Sequence, residues 1–414
     1  MSDTKFYKTL YGYLNREDVG KWGWVNLSDE KYKNIDLELS SKRRGEEDES
    51  YTSEEKEYYP LRLKLRLKRL LYSYAKAAEN CWGIRRYESK TKGKLQKMGE
   101  VCDVLVLAYK KAASGERSKA VNLLYDKIFK DDKIEFSDFT MVLEEMDKDL
   151  KSKRKNKKIT QEGVSQDVCL YRMRPTEKYE LFNENGMSHI PFNLAHNTSN
   201  ERYSICGLPS LYLASSVYGC WIEMNCPRIE TVNVALFIPK EETKFLDLCY
   251  PDENESYDDK YLILLPIIVA CDMVVKYPNA NYKYEYTIPQ LILECLVKYR
   301  NEKMPGKVLG IKYISVKRET MKLEYDYQHF KRLYYNYVFP PVEIEDTGQC
   351  RFLKENFRFE RVTTCFNMQN IDPKFPLQLK YADKYEQGIF FQLENHLKAS
   401  RMLTYESQRG ALTL

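Results

Sequence analysis

Histidine is scarce in this chain, which has four in 414 residues: His189, His196, His329 and His396. None precedes residue 189, so the Arg–His pairing used by small helical nucleases is unavailable to the N-terminal part. His-based triads and metal clusters are hard to build from this inventory, and no metal site is expected. The eleven Cys form no CxxC pair. They read as buried thiols in a reducing compartment rather than a disulfide framework or zinc site. GxxxxGK[ST], GxGxxG, HExxH and G-x-S-x-G are all absent, which removes the standard phosphate loops, the zincins and the serine hydrolases. No apolar run reaches membrane-spanning length; the longest, Tyr261–Val275, is interrupted by Pro266 and Asp272 and reads as a buried helix. The opening MSDTKFYKTLYGYLNRED has no basic region leading into an apolar one, so no secretory signal is read. A cytoplasmic protein without membrane contact is expected.

What is present is aromatic and nearly charge-balanced. There are 34 Tyr, and 66 Lys and Arg oppose 61 Asp and Glu, for a net charge of +5. Such a balance does not point to a nucleic-acid partner, and none is expected. With 43% hydrophobic residues the chain is long enough for two or three folded domains.

Residues 41–58 are charged and almost free of aliphatics, which reads as a surface insert. After Pro60 the run LRLKLRLKRLLYSYAKAAENCW alternates like a strand at first. Yet Leu63, Leu67, Leu70, Leu71 and Tyr74 share one helical face, and helix is favoured. Further helices are expected at about Leu95–Ala113, Ser118–Phe129 and Phe136–Leu150. Residues 1–150 thus read as a mostly α-helical regulatory or partner-binding domain, and residues 151–164 as a basic linker. Beyond it come the short β-rich runs VCLYRM, SLYLAS, ETVNVALFIP, KVLGIKYISV and RLYYNYVF. Helical stretches separate them near Val217–Asn225, Lys260–Lys276 and Pro289–Arg300. Strands and helices without regular βαβ spacing predict an α+β fold with a mixed sheet.

The stretch Arg202–Glu223, RYSICGLPSLYLASSVYGCWIE, places an Arg, a Tyr and a Glu around a turn, a strand and a helix start. A guanidinium matches phosphate oxygens, a phenol ring offers a flat face, and a carboxylate stabilises an electron-poor sugar carbon. Each residue also has a plain structural reading. Tyr212 suits a strand core, Arg202 suits a surface, and Ser315 alone carries no signal. Glu223 is less ordinary, because a carboxylate inside the apolar CWIEM would be unfavourable to bury unpaired.

Set beside YRMRP (171–175), HIPF (189–192), YKYEYTIPQLILE (282–294), GIKYIS (310–315) and YNYVFP (335–340), the stretch resembles the RES domain family. The likeness runs in the family's own order over about residues 168–340. It implies an ADP-ribosyltransferase-like catalytic domain at 165–340 and a C-terminal extension, 341–414, packed on it. By resemblance, Glu223, Tyr212, Arg202 and Ser315 are the catalytic set. Arg172, Arg202, Tyr212 and Asn336 would hold NAD+, which is a substrate; no cofactor is implied. The implied reaction is cleavage of the nicotinamide–ribose bond through an oxocarbenium-like state, as in an NAD+-consuming toxin or anti-phage effector. An antitoxin or regulatory protein is the implied partner, and a homo-oligomer is compatible. Transfer of ADP-ribose to a protein, or nucleotide sensing without turnover, are the alternatives. Water, phosphate and a protein side chain all remain open as acceptor, because they share the oxocarbenium step.

Arg174 is expected on the same strand face as Arg172 and competes with it as a phosphate ligand. His189 reads as a structural element, and Glu285 and Gln290 as capping and packing residues around Pro289. Tyr203 and Ser204 sit beside Arg202 in sequence.

Overall fold

The computed structural model describes residues 59–82, 84–130, 133–139, 168–176, 180–240, 242–250, 261–319, 331–346, 348–365, 367–368 and 385–398. The insert expected at 41–58 and the basic linker at 151–164 lie outside the described residues. In chain order the elements are α1 (Tyr59–Trp82), α2 (Ile84–Ala113), α3 (Arg117–Leu124), β1 (Ser137–Asp138), β2 (Leu170–Pro175), α4 (Glu184–Met187), β3 (Leu211–Ala214) and α5 (Val217–Glu223). There follow β4 (Val232–Pro239), β5 (Lys244–Leu248), α6 (Tyr261–Cys271), α7 (Thr287–Lys303), β6 (Leu309–Ile314), β7 (Tyr335–Phe339), α8 (Arg351–Asn356) and β8 (Phe357–Thr364). A last helix, α9, covers residues 389–398.

These elements form two compact units that interleave in sequence. The first comprises Met1–Glu135, Glu201–Tyr203 and Leu248–Tyr299; the second comprises Phe136–Asn200, Ser204–Asp247 and Arg300–Leu414. In the first unit the helical face foreseen in α1 is the buried one. Leu63, Leu67, Leu70, Leu71 and Tyr74 are all out of solvent. The LRLKLRLK alternation yields to helix because one continuous stripe can then be covered by α2 and α6, which both pack on α1. Helix α6 is apolar on nearly every side and is buried accordingly, and Pro266 is accommodated within it. Helix α7 is tied to the α3 region by polar contacts. Arg117 Nε donates to Glu294 Oε1 at 2.7 Å, and Lys298 Nζ donates to Asn122 Oδ1 at 2.8 Å.

The second unit is an α+β fold around an eight-stranded sheet of order β1-β5-β6-β7-β3-β2-β4-β8. Every pairing whose register is described is antiparallel. The five strands read from the β-rich runs are all present, as β2, β3, β4, β6 and β7. Three more join them. β8 pairs along the length of β4, with an irregularity at Leu236/Phe237, so residues beyond 341 contribute a strand to the sheet itself. The helix expected from Phe136 is overturned at its start. Ser137 and Asp138 pair with Phe245 and Lys244 as an edge strand, tertiary pairing overriding local preference. Residues 140–150 of that expected helix lie outside the described residues.

One sheet face carries a core built from Leu170, Leu211, Leu213, Ala235, Phe237, Phe245, Tyr337 and Phe339, with Phe192 and Leu353 packed on it. Gly310 on β6 packs directly against β7. A Cβ there would stand 2.4 Å from the Phe339 ring and 2.6 Å from the Val338 carbonyl oxygen. Gly310→Ala is therefore expected to destabilise the protein by about 1–3 kcal/mol, through overpacking against backbone that cannot yield. Urea unfolding measures this, and a midpoint equal to wild type would show that β6 and β7 can shift apart.

Candidate active site

The sequence around Glu223 explains why that residue ends a helix. Ser216 is extended, and its hydroxyl accepts from the Gly219 N–H at 2.8 Å, capping α5, while donating to the Leu333 carbonyl at 2.7 Å. Gly219 is required by this docking, because a Cβ would stand 2.5 Å from the same carbonyl oxygen. Val217 to Ile222 are buried, and Glu223, the last helical residue, is half-exposed. The helix is then closed by a Schellman turn. The Cys226 N–H bonds Trp221 O at 2.9 Å and the Asn225 N–H bonds Ile222 O at 3.0 Å, with Asn225 at φ 61° and Cys226 at φ 55°. Asn adopts this left-handed backbone readily; Cys does so with strain.

A carboxylate at a helix C-terminus faces the negative end of the helix dipole. Lys317 offsets this: its ammonium donates to the Glu223 carbonyl and to Asn225 Oδ1 at 2.7 Å. The Glu223 carboxylate is held from the sheet side, where Asn336 Nδ2 donates to Oε1 at 2.8 Å. Its other oxygen, Oε2, has no protein partner among the described residues.

Strand register sorts the remaining residues by face. Asn336 lies opposite Ala214 on β3 and Tyr313 on β6, and Tyr212 lies opposite Val338. Directly opposed residues share a face, and side chains alternate along each strand. Tyr212 and Asn336 therefore share the face on which Glu223 lies. Ser315, which continues the alternation just past β6, extends this set. It is buried, its N–H bonds Tyr334 O, and its hydroxyl accepts from the Lys317 N–H at 3.3 Å.

Arg172 lies opposite Ala235, and Arg174 opposite Asn233, so both arginines share the other face, as their spacing suggested. The pairing of β2 with β3 is described only at Tyr171 and Ala214. Arg172 is half-buried, and its Nη1 is sealed from solvent with no partner among the described residues. Burial first, then the neighbouring charge of Arg174, pushes this guanidinium down to about 10, while Cys220 and Tyr212 lie within electrostatic reach. Arg174 is occupied: it donates to the Gly186 carbonyl and lies over the Phe182 ring at 5.2 Å. It is thus less available than Arg172 as an anion ligand.

His189 is fully buried and structural. Its Nε2 accepts from the Cys350 N–H at 2.8 Å, so Nδ1 carries the proton and donates to Ile190 O at 2.7 Å. Burial, helped by Arg172 and Lys354, holds its pKa below the ordinary imidazole value.

Arg202 belongs to the first unit. It is buried, its Nη1 donates to Cys271 O at 2.7 Å, and its guanidinium lies 5.1 Å from the Tyr286 ring centre. Its Nη2 is sealed without a partner among the described residues. In the same unit Glu285 is a buried ion-pair partner, accepting from Arg62 Nη1 at 2.8 Å and from the Lys276 N–H at 3.1 Å. Gln290 donates to Glu201 O at 3.0 Å. Tyr203 is buried in this unit, whereas Ser204 is buried in the other. Among the described residues no cluster of His, Cys, Asp or Glu could hold a metal ion, and no helix is long and apolar enough to cross a membrane.

Against this geometry, no family model matches the chain. No solved structure matches it either. The protein of Bacillus subtilis (strain 168) named "Putative toxin YopC" is 33% identical over 205 residues, covering 45% of this chain and 44% of that protein. The chain thus spans less than half the length of the relative it matches.

Two expectations follow from the buried groups. Replacing a desolvated, incompletely paired charge by an apolar side chain is often neutral or stabilising, so Arg172→Met is expected to keep or raise stability, by about 1 kcal/mol. A loss of about 3 kcal/mol on denaturant unfolding would instead make Arg172 a structural anchor. His189 has a depressed pKa in the folded state, so it contributes stability that is present above about pH 6.5 and is lost as pH falls through its folded pKa. His189→Gln should flatten that acid-side slope in a plot of melting temperature against pH; an unchanged slope would assign it to other groups.

Proposed function

We propose that the second unit cleaves the nicotinamide–ribose bond of NAD+, with Glu223 as the catalytic carboxylate. The observation that carries this reading is the Asn336–Glu223 hydrogen bond. It fixes one carboxylate oxygen and leaves the other without a protein partner among the described residues, at the end of a helix whose preceding residues are buried. A fixed anion of this kind favours a transition state in which positive charge grows on a ribose carbon. Nicotinamide leaves NAD+ as a neutral molecule and needs no proton, so the scarcity of histidine does not obstruct the reaction.

Tyr212 would offer its ring to nicotinamide or ribose on the same sheet face. Ser315 would support the ribose hydroxyls or the carboxylate rotamer, and Asn336 would orient Glu223. Arg172, within electrostatic reach of Tyr212, would meet the pyrophosphate with its guanidinium once ligand entry opens the contacts that seal it. Arg202 lies in the first unit and is left outside the proposed site. The RES-like motifs support the same chemistry. The name of the B. subtilis relative supports a growth-arresting role, with an antitoxin as the partner that restrains it. Water, inorganic phosphate and a protein side chain are the three acceptors compatible with this step.

The test incubates the purified protein with NAD+, with and without phosphate, and follows nicotinamide release. Wild type is expected to release nicotinamide, and Glu223→Ala to lose at least about a hundredfold of that rate, the scale seen when a transition-state-stabilising group is removed. Dependence on phosphate would name the acceptor. NAD+ binding with no release from wild type would replace the enzyme by a nucleotide sensor.

A further inference from the structure

Helix α5 is seven residues long, too short to hold its own position in water. Its C-terminal end is set by Lys317 and the Schellman turn. Its N-terminal end meets the last described segment of the chain. The Glu394 carboxylate, on α9 and buried, accepts from the Val217 N–H at 2.8 Å and from the Tyr385 hydroxyl, both on the single oxygen Oε1. Around this contact the same segment lays aromatic rings on α5. Phe390 lies 5.2 Å from Tyr218 and 5.3 Å from Trp221 between ring centres, and Tyr385 lies 6.5 Å from Tyr218. Ser216 already caps the Gly219 N–H, so Glu394 satisfies a different N–H of the first turn. Burial raises the pKa of this carboxyl group.

We infer that Glu394 is a positioning residue for Glu223, and that residues 385–398 clamp α5 so that its last residue presents the carboxylate to Asn336. This inference rests on the reading of Glu223 as the catalytic group. Neither residue touches the other; the link is the rigid helix, held at its first N–H and delivering a side chain at its last position. A small displacement of a catalytic group is enough to lower turnover strongly while leaving substrate affinity nearly intact.

The experiment compares Glu394→Ala and Glu394→Gln with wild type in the full chain. Two readouts are taken: hydrogen–deuterium exchange of peptides covering residues 217–223, and kcat and KM for nicotinamide release. Gln keeps an acceptor oxygen where Oε1 stands and should remain within about twofold of wild type in both. Ala should raise α5 exchange by about tenfold or more, and lower kcat on the order of tenfold to a hundredfold with KM little changed. Should the Ala variant fail to fold, Tyr385→Phe, which removes one donor and keeps the carboxylate, takes its place with a smaller shift in the same direction. Unaltered α5 exchange overturns the clamp, and so does faster exchange with unaltered kcat. If wild type releases no nicotinamide while exchange still separates Ala from Gln, the clamp stands and the assignment of NAD+ cleavage falls.

Discussion

The position of one short helix is the constraint on which the candidate site depends. With seven residues, α5 has too few internal hydrogen bonds to pay for its own nucleation, so its place is dictated from outside. Ser216 and Gly219 seat it on the Leu333 carbonyl, Glu394 takes its first N–H, and Lys317 gathers its last carbonyls. The partners come from chain segments that follow Glu223 by roughly a hundred residues or more. Glu223 is therefore a local residue in sequence only; its geometry is set by the far end of the chain.

The sheet divides the chemistry by sign. Asn336, Tyr212 and Ser315 share the face on which the half-exposed Glu223 lies, and Asn336 donates to its carboxylate. Arg172 and Arg174 alternate onto the other, beside a histidine kept neutral by burial. Such a separation keeps the guanidinium of Arg172 from simply neutralising Glu223. An ion pair between them would satisfy both and leave neither with a group to offer a ligand.

How far the sequence revealed this depends on where the signal resides. The α1 face was readable because five apolar residues recur at helical spacing, and burial of that stripe overcame the alternation of LRLKLRLK. β2, β3, β4, β6 and β7 were readable as dense β-branched and aromatic runs. β1 is two residues long and takes its pairing from β5, while β5, lying between β1 and β6, reads KFLDL, a mixed run without the apolar density of the other strands. β8, FRFERVTT, is half-exposed along much of its length and lacks the apolar density that marks a central strand. At the site, Glu223 stood out because a carboxylate interrupts CWIEM. Lys317 and Glu394 did not. A lysine after a strand and a glutamate in an amphipathic stretch are ordinary until a partner some hundred residues away is known, and spacing along the chain carries no trace of that partner.

The first unit is assembled from pieces of chain that leave a ribosome at very different times. Helices α1 to α3 emerge early, yet α6 and most of α7, which complete the same unit, lie within Leu248–Tyr299. Helix α2 can cover part of the apolar face of α1 at once, but the part that α6 covers must wait through the synthesis of β2 to β5. At about 5–20 residues per second that wait lasts on the order of ten seconds. During it, the part of the Leu63, Leu67, Leu70 and Leu71 stripe that α6 covers stays without that cover. The order of assembly thus leaves the first unit with an incomplete core until α6 and α7 join it.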